Sequence, residues 1–155
     1  MIQAPADGAT TIFGLPALPR PLLHGECIVS RRKEYMADAI ALIDDIFFQA
    51  KLHETAKFTG TALEMVTTGE QLLKSAAASP AALIIVDLNT RQGAVEAIEQ
   101  LGKSNGQGNP RRVIAFLSHV QTDLAERARA AGCQDVMPRS KFTQNLAAIL
   151  CTAKS

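Results

Sequence analysis

Cysteine is scarce and unpatterned in this chain of 155 residues. Cys27, Cys133 and Cys151 stand far apart, with no CxxC and no Cys/His ligand spacing, which argues against a structural zinc site. Three scattered thiols suit a reducing, cytoplasmic compartment rather than a disulfide framework. His24, His53 and His119 are equally isolated, so none belongs to a recognisable metal motif. An excess of charge is also missing. The formal net charge is +1, and from Met36 onward 12 Lys+Arg balance 12 Asp+Glu. Arg31-Arg32-Lys33 is the one basic cluster, and Glu26 and Glu34 flank it. Without a basic face, nucleic acid is not an expected partner. No apolar run approaches a membrane span. The mildly apolar stretch 11–23 is broken by Pro16, Pro19 and Pro21 and follows no basic segment, which argues against a secretory leader. Neither GxGxxG nor GxxxxGK[ST] occurs, which disfavours a nucleotide-binding enzyme on these grounds. Internal repeats and a second domain are absent from the pattern.

What is present is enough for one core. Hydrophobic residues make up 47% and charged residues 20%, the balance of a single globular domain. Residues 1–35 stand apart, with Pro5, Pro16, Pro19 and Pro21 crowded among Gly8, Gly14 and Gly25 and no sustained period. They read as a flexible tail, with Glu26 to Ser30 as a weak strand candidate. A second reading stays open. Arg31-Arg32-Lys33-Glu34 can be encoded by purine-rich codons resembling a ribosome-binding site, so translation in the cell could start at Met36. The remainder, 36–155, is the expected domain.

From Ala37 a regular alternation begins. Ala39 to Ile43 is a continuous apolar run, as in a strand buried on both faces. Phe48, Leu52 and Ala56 recur at helical spacing over 47–58, and Gly60 closes that helix. Strands follow at 62–67 (an edge strand), 82–86, 112–117 and 135–137. Helices are expected over 69–78, 92–103, 122–131 (closed by Gly132) and 140–151, the last capped by Ser140 and buried through Phe142, Leu146, Ile149 and Leu150. Five βα units in series imply a parallel sheet with helices on both faces.

Two of the buried runs end in acid. Asp44 and Asp45 follow Ala39–Ile43, and Asp87 follows Ala82–Val86. Ligands of open parallel α/β sheets bind at the C-terminal strand edge, where these three carboxylates would converge. Clustered carboxylates repel unless cations or protons neutralise them. Oxygen ligands with room for water and phosphate suit Mg²⁺. A small Mg²⁺ and phosphoryl site is the chemical expectation.

Spacing and residue type together resemble the receiver domain of bacterial two-component response regulators, over roughly residues 37–152. The acidic pair Asp44-Asp45 matches the family's pair after its first strand. Asp87, 42 positions beyond Asp45, matches its phosphorylated aspartate, and Ser118, a further 31 positions on, matches its Ser/Thr after the fourth strand. Arg127-Ala128-Arg129-Ala130-Ala131-Gly132-Cys133 looks like the Ala-rich helix and turn before the fifth strand. The resemblance implies a doubly wound, five-stranded parallel sheet, a flavodoxin-like three-layer sandwich. It implies Asp87 as phosphoacceptor and Asp44, Asp45, Asp87 and the backbone carbonyl of Asn89 as Mg²⁺ ligands. Ser118 would donate to the phosphate, and Arg139 would pair with Asp87 or a phosphate oxygen. Partners would be a histidine kinase or phosphotransfer protein, and an effector bound through residues 121–151; a homodimer is left open. Any enzymatic activity would be limited to self-phosphorylation and autodephosphorylation at Asp87.

Four departures bear on that expectation. Arg139 stands where the family carries lysine, and a planar fork does not replace a compact ammonium conservatively; Lys141 lies two residues further on. Val136 replaces the switch aromatic. His119 follows Ser118 where a small residue is usual. Leu88-Asn89-Thr90-Arg91-Gln92-Gly93 lacks the usual Met-Pro turn. They open an alternative, a pseudo-receiver that serves as an interaction module indifferent to phosphate. Each site residue also has an ordinary reading on its own. Acids at a strand-to-helix turn can simply cap the helix, Ser118 can be a loop hydroxyl, and Arg139 can pair with Asp135.

Overall fold

The continuous apolar runs become strands buried on both sides. A computed structural model describes residues 36–105, 110–118 and 121–154. The expectations for residues 1–35 and for His119 lie outside those residues. Strands β1 (Ala39–Leu42), β2 (Leu63–Val66), β3 (Leu83–Asp87), β4 (Arg112–Leu117) and β5 (Asp135–Pro138) alternate with helices. The helices are α1 (Ile46–Thr59), α2 (Gly69–Ala78), α3 (Ala94–Asn105), α4 (Thr122–Ala130), α5 (Arg139–Gln144) and α6 (Leu146–Thr152). The sheet order is β2-β1-β3-β4-β5, and every pairing is parallel. This is the doubly wound five-stranded sheet expected from the βα alternation.

Period-two alternation divides the core into two layers. Ile40, Leu42, Ile84, Val86, Val113 and Ala115 face one layer, closed by α2, α3 and α4 through Leu72, Ile98 and Ala128. Ala41, Ile43, Ile85, Ile114 and Phe116 face the other, closed by α1, α5 and α6 through Leu52, Phe142 and Leu150. The second layer holds the aromatic packing: Phe116 stacks on Phe142 at 4.5 Å between centroids, and Phe48 tilts against Phe116 at 5.1 Å.

Turn chemistry fixes the ends. Gly60 caps α1 at φ 70°, a left-handed conformation that side chains resist. Gly93, also at φ 70°, delays α3 to Ala94, two residues past the expected start. The last helix is not continuous. Asn145 leaves helical dihedrals (φ −104°, ψ 8°) and separates α5 from α6. Its side-chain amide donates to the Lys141 carbonyl at 2.9 Å, the local competition that makes asparagine a poor helix interior residue. Ser140 does not cap: Pro138 holds the cap position, Arg139 is the first helical residue and Ser140 the second. Because β5 ends at Pro138, Arg139 opens α5 at the C-terminal edge of that strand, beside the carboxylates.

Candidate functional site

Register brings the acids together. Leu42 pairs with Val86 and Asp87 pairs with Phe116, so the loops after β1, β3 and β4 open on one edge. Leu117 pairs with Pro138, which delivers Arg139 to the same edge.

Arg139 is the centre of the arrangement. Its Nη1 donates to Asp45 Oδ2 at 2.9 Å, and its Nη2 donates to Asp87 Oδ2 at 2.7 Å. The guanidinium carbon lies 4.7 Å from the centroid of Phe48 and 5.5 Å from that of Phe116. The fork therefore joins the start of α1, the end of β3 and α5 above the aromatic layer. Its Nε is buried with no hydrogen-bond partner among the described residues.

The remaining carboxylate oxygens are also engaged. Asp45 caps α1: its Oδ1 accepts from the amides of Phe47 and Phe48 at 3.0 and 3.3 Å. Asp87 Oδ1 accepts from the Asn89 amide at 2.9 Å. Asp45 keeps 34% of its side chain exposed, whereas Asp87 keeps 1%. The Arg139 hydrogen bond, with the α1 amides, holds Asp45 below the ordinary aspartate value. Burial pushes Asp87 above it, and the Asn89 amide and Arg139 only partly oppose that shift. The nearby charge of exposed Asp44 pushes Asp87 further in the same direction.

Asn89 links the acids to the next loop. While its amide holds Asp87, its side-chain oxygen accepts from the Ser118 amide at 2.6 Å, and its side-chain nitrogen donates to Gln121 at 3.3 Å. Sequence reasoning assigned Asn89 only a backbone carbonyl, so this bridging side chain was missed. An Asn two residues after the central acid was the available signal, since Asn readily bonds nearby backbone. Ser118 is exposed at the rim. Arg139 meets Asp87 as expected; its simultaneous hold on Asp45 was not. Its alternative partner Asp135 is taken by Arg112 at 2.7 Å.

The fit to a divalent ion can be tested on this donor set. Mg²⁺ requires near-octahedral oxygen coordination. Both oxygens of Asp45 and both of Asp87 already accept hydrogen bonds. Among the described residues, no group of three or more His, Cys, Asp or Glu side chains is placed to hold a metal. With Arg139 in place, Asp45 and Asp87 do not fit the ion, since neither offers it an unengaged oxygen.

Beside the acidic edge, Leu117, Gln121, Ala125, Arg129, Val136 and Met137 line a mainly apolar cavity of about 190 Å³. No helix among the described residues is long and apolar enough to cross a membrane.

No family model matches the chain, and no curated protein matches it either. Its solved structural neighbours are consistently response-regulator receiver domains. A chemotaxis response regulator of Vibrio cholerae is 18% identical with TM-score 0.62, covering 76% of this chain and 98% of that one. The signal receiver domain of a Luxo repressor protein from Vibrio parahaemolyticus is 19% identical with TM-score 0.62, covering 77% and 93%. The receiver domain of a Saccharomyces cerevisiae response regulator, solved with its histidine phosphotransfer protein, is 17% identical with TM-score 0.61, covering 74% and 88%. The chain has the receiver-type, flavodoxin-like fold.

Proposed function

We propose that this chain is a receiver-type signalling domain of a phosphorelay in which Asp87 is the phosphoacceptor. The observation that carries the reading is the setting of Asp87. It ends the central strand of a receiver-type sheet, with a cation on one oxygen and, on the other, an amide whose residue reaches the next loop. An ionised Asp87 oxygen attacks the phosphorus of a phospho-histidine, the O–P bond forms as the N–P bond breaks, and the histidine nitrogen leaves with the bonding pair. The attack requires Arg139 to release Asp87. Its second bond, to Asp45, keeps the guanidinium at hand to take up charge on the new phosphoryl oxygens. Ser118, at the rim, is the nearby hydroxyl donor.

The Asn89 bridge supports a route outward. A change at Asp87 alters the amide that Asn89 donates, and the same side chain holds Ser118 and Gln121 at the start of α4. Local charge then becomes a shifted surface over residues 121–151, where the effector would dock. The donor would be a histidine kinase or phosphotransfer protein, by analogy with the yeast receiver crystallised with such a partner.

A second reading has its own observation. Asp87 is 1% exposed and both its oxygens are bonded, which suits a pseudo-receiver that binds partners without phosphorylation. Intact-mass spectrometry separates the two. Wild type and Asp87→Asn are incubated with acetyl phosphate, and separately with a phosphorylated histidine phosphotransfer protein, each with and without Mg²⁺. A single phosphoryl adduct on wild type alone is the expected result. No adduct under any condition establishes the pseudo-receiver, and an adduct on Asp87→Asn overturns the acceptor assignment.

A further inference from the structure

We infer that Arg139 is the resident cation of the acidic edge and that it excludes divalent metal ions from it. Three facts converge on this side chain. The guanidinium donates to one carboxylate oxygen of Asp45 and one of Asp87, at 2.9 and 2.7 Å. The carboxylate oxygens it leaves are held by the α1 amides and by Asn89, so neither aspartate retains an unengaged oxygen. The fork also lies over two ring faces, Phe48 at 4.7 Å and Phe116 at 5.5 Å, which help to hold it in place.

The choice of arginine follows from this geometry. A planar fork reaches two carboxylates at once while its face rests on aromatic carbon. A lysine ammonium is a compact, strongly hydrated point charge with no face to stack, so it cannot reproduce both contacts. A divalent ion entering between Asp45 and Asp87 would meet a fixed positive charge and would have to strip two charge-assisted hydrogen bonds. The cation that neutralises these acids is thus built into the polypeptide, and α5 is tied through it to the start of α1 and the end of β3. The inference does not depend on whether Asp87 accepts a phosphoryl group.

Mn²⁺ titration followed by electron paramagnetic resonance tests it without any phosphoryl chemistry, so its failure is distinguishable from failure of the acceptor reading. Wild type is expected to show no Mn²⁺ that Asp87→Asn removes, up to about 10 mM, weaker than ordinary oxygen-ligand sites. Arg139→Met keeps an apolar stem over the rings and frees both carboxylates. It is expected to gain an Asp87-dependent site at least about tenfold tighter, within the usual range of such sites. Arg139→Lys is the second variant, with an intermediate gain expected from releasing one carboxylate. Asp87-dependent Mn²⁺ binding by wild type in the sub-millimolar range overturns the inference. So does the absence of any gain in whichever Arg139 variant remains folded.

Discussion

β1 and β3 run side by side to the same sheet edge with the same apolar character, and each leads to an aspartate bonded to Arg139, Asp45 in the loop after β1 and Asp87 as the last residue of β3. At the first position, Asp45 sits partly in solvent at the start of a helix, where two amides already point at it, and its charge is favoured. At the second, Asp87 lies beneath the surface with one amide for company, and its charge is disfavoured although its bond to the same guanidinium is shorter. One cation therefore has opposite net results at two acids. Hydrogen bonding prevails where solvent and helix amides contribute, and desolvation prevails where they do not.

Removing the shared cation breaks the comparison most severely. Arg139→Met leaves Asp87 buried without a positive partner, and loss of one member of a buried pair costs about 3 kcal/mol. Denaturant unfolding at neutral pH should show that loss. It should shrink as pH falls, because protonated Asp87 no longer needs a counter-charge. A loss under about 0.5 kcal/mol, the size of an ordinary surface substitution, would mean that the fork contributes no stability and that its geometry is incidental.

How much of this was legible in the sequence follows the same division between local and distant causes. The strands were readable because both faces are buried and the runs are continuous, as in Leu83-Ile84-Ile85-Val86. The α1 stripe of Phe48, Leu52 and Ala56 was readable because one helix face alone is buried. The break at Asn145 was less so, because Phe142, Leu146, Ile149 and Leu150 preserve helical spacing across it. At the site, the positions of Asp44, Asp45, Asp87, Ser118 and Arg139 follow from register. Their bonding does not. Asp45 and Asp87 read as equivalent ligands, and only the fold shows one capping a helix and the other enclosed. The Arg139 fork spans 94 positions to Asp45 and 52 to Asp87 and passes over Phe48 and Phe116, contacts that no local pattern encodes.

Opposite shifts predict opposite pH behaviour. Asp45, held low, contributes stability above the ordinary aspartate value, and that contribution is lost as pH falls through its folded-state value. Asp87, pushed up, contributes below the ordinary value, and that contribution is lost as pH rises through its folded-state value. Unfolding free energies of Asp45→Asn and Asp87→Asn, each compared with wild type across the acidic range, should diverge. Wild type gains on Asp45→Asn as pH rises and loses ground to Asp87→Asn over the same range. Parallel curves would sink the comparison. Asp45→Ala, at any pH above that range, should cost about 1 kcal/mol through the lost α1 cap, which Asn can keep.

The smallest effect concerns the other member of the acidic pair. Asp44 is exposed, and its reach into the site is its charge, which disfavours ionisation of Asp87. Asp44→Asn should therefore change stability by less than about 0.5 kcal/mol, as a surface substitution does. It should nevertheless lower the titration midpoint of Asp87, followed by carboxyl-carbon NMR, while leaving the Arg139 bonds in place. An unmoved Asp87 midpoint would show that solvent screens the two acids from each other. The contrast between Asp45 and Asp87 would then rest on burial and hydrogen bonding alone, with Asp44 outside the electrostatics of the site.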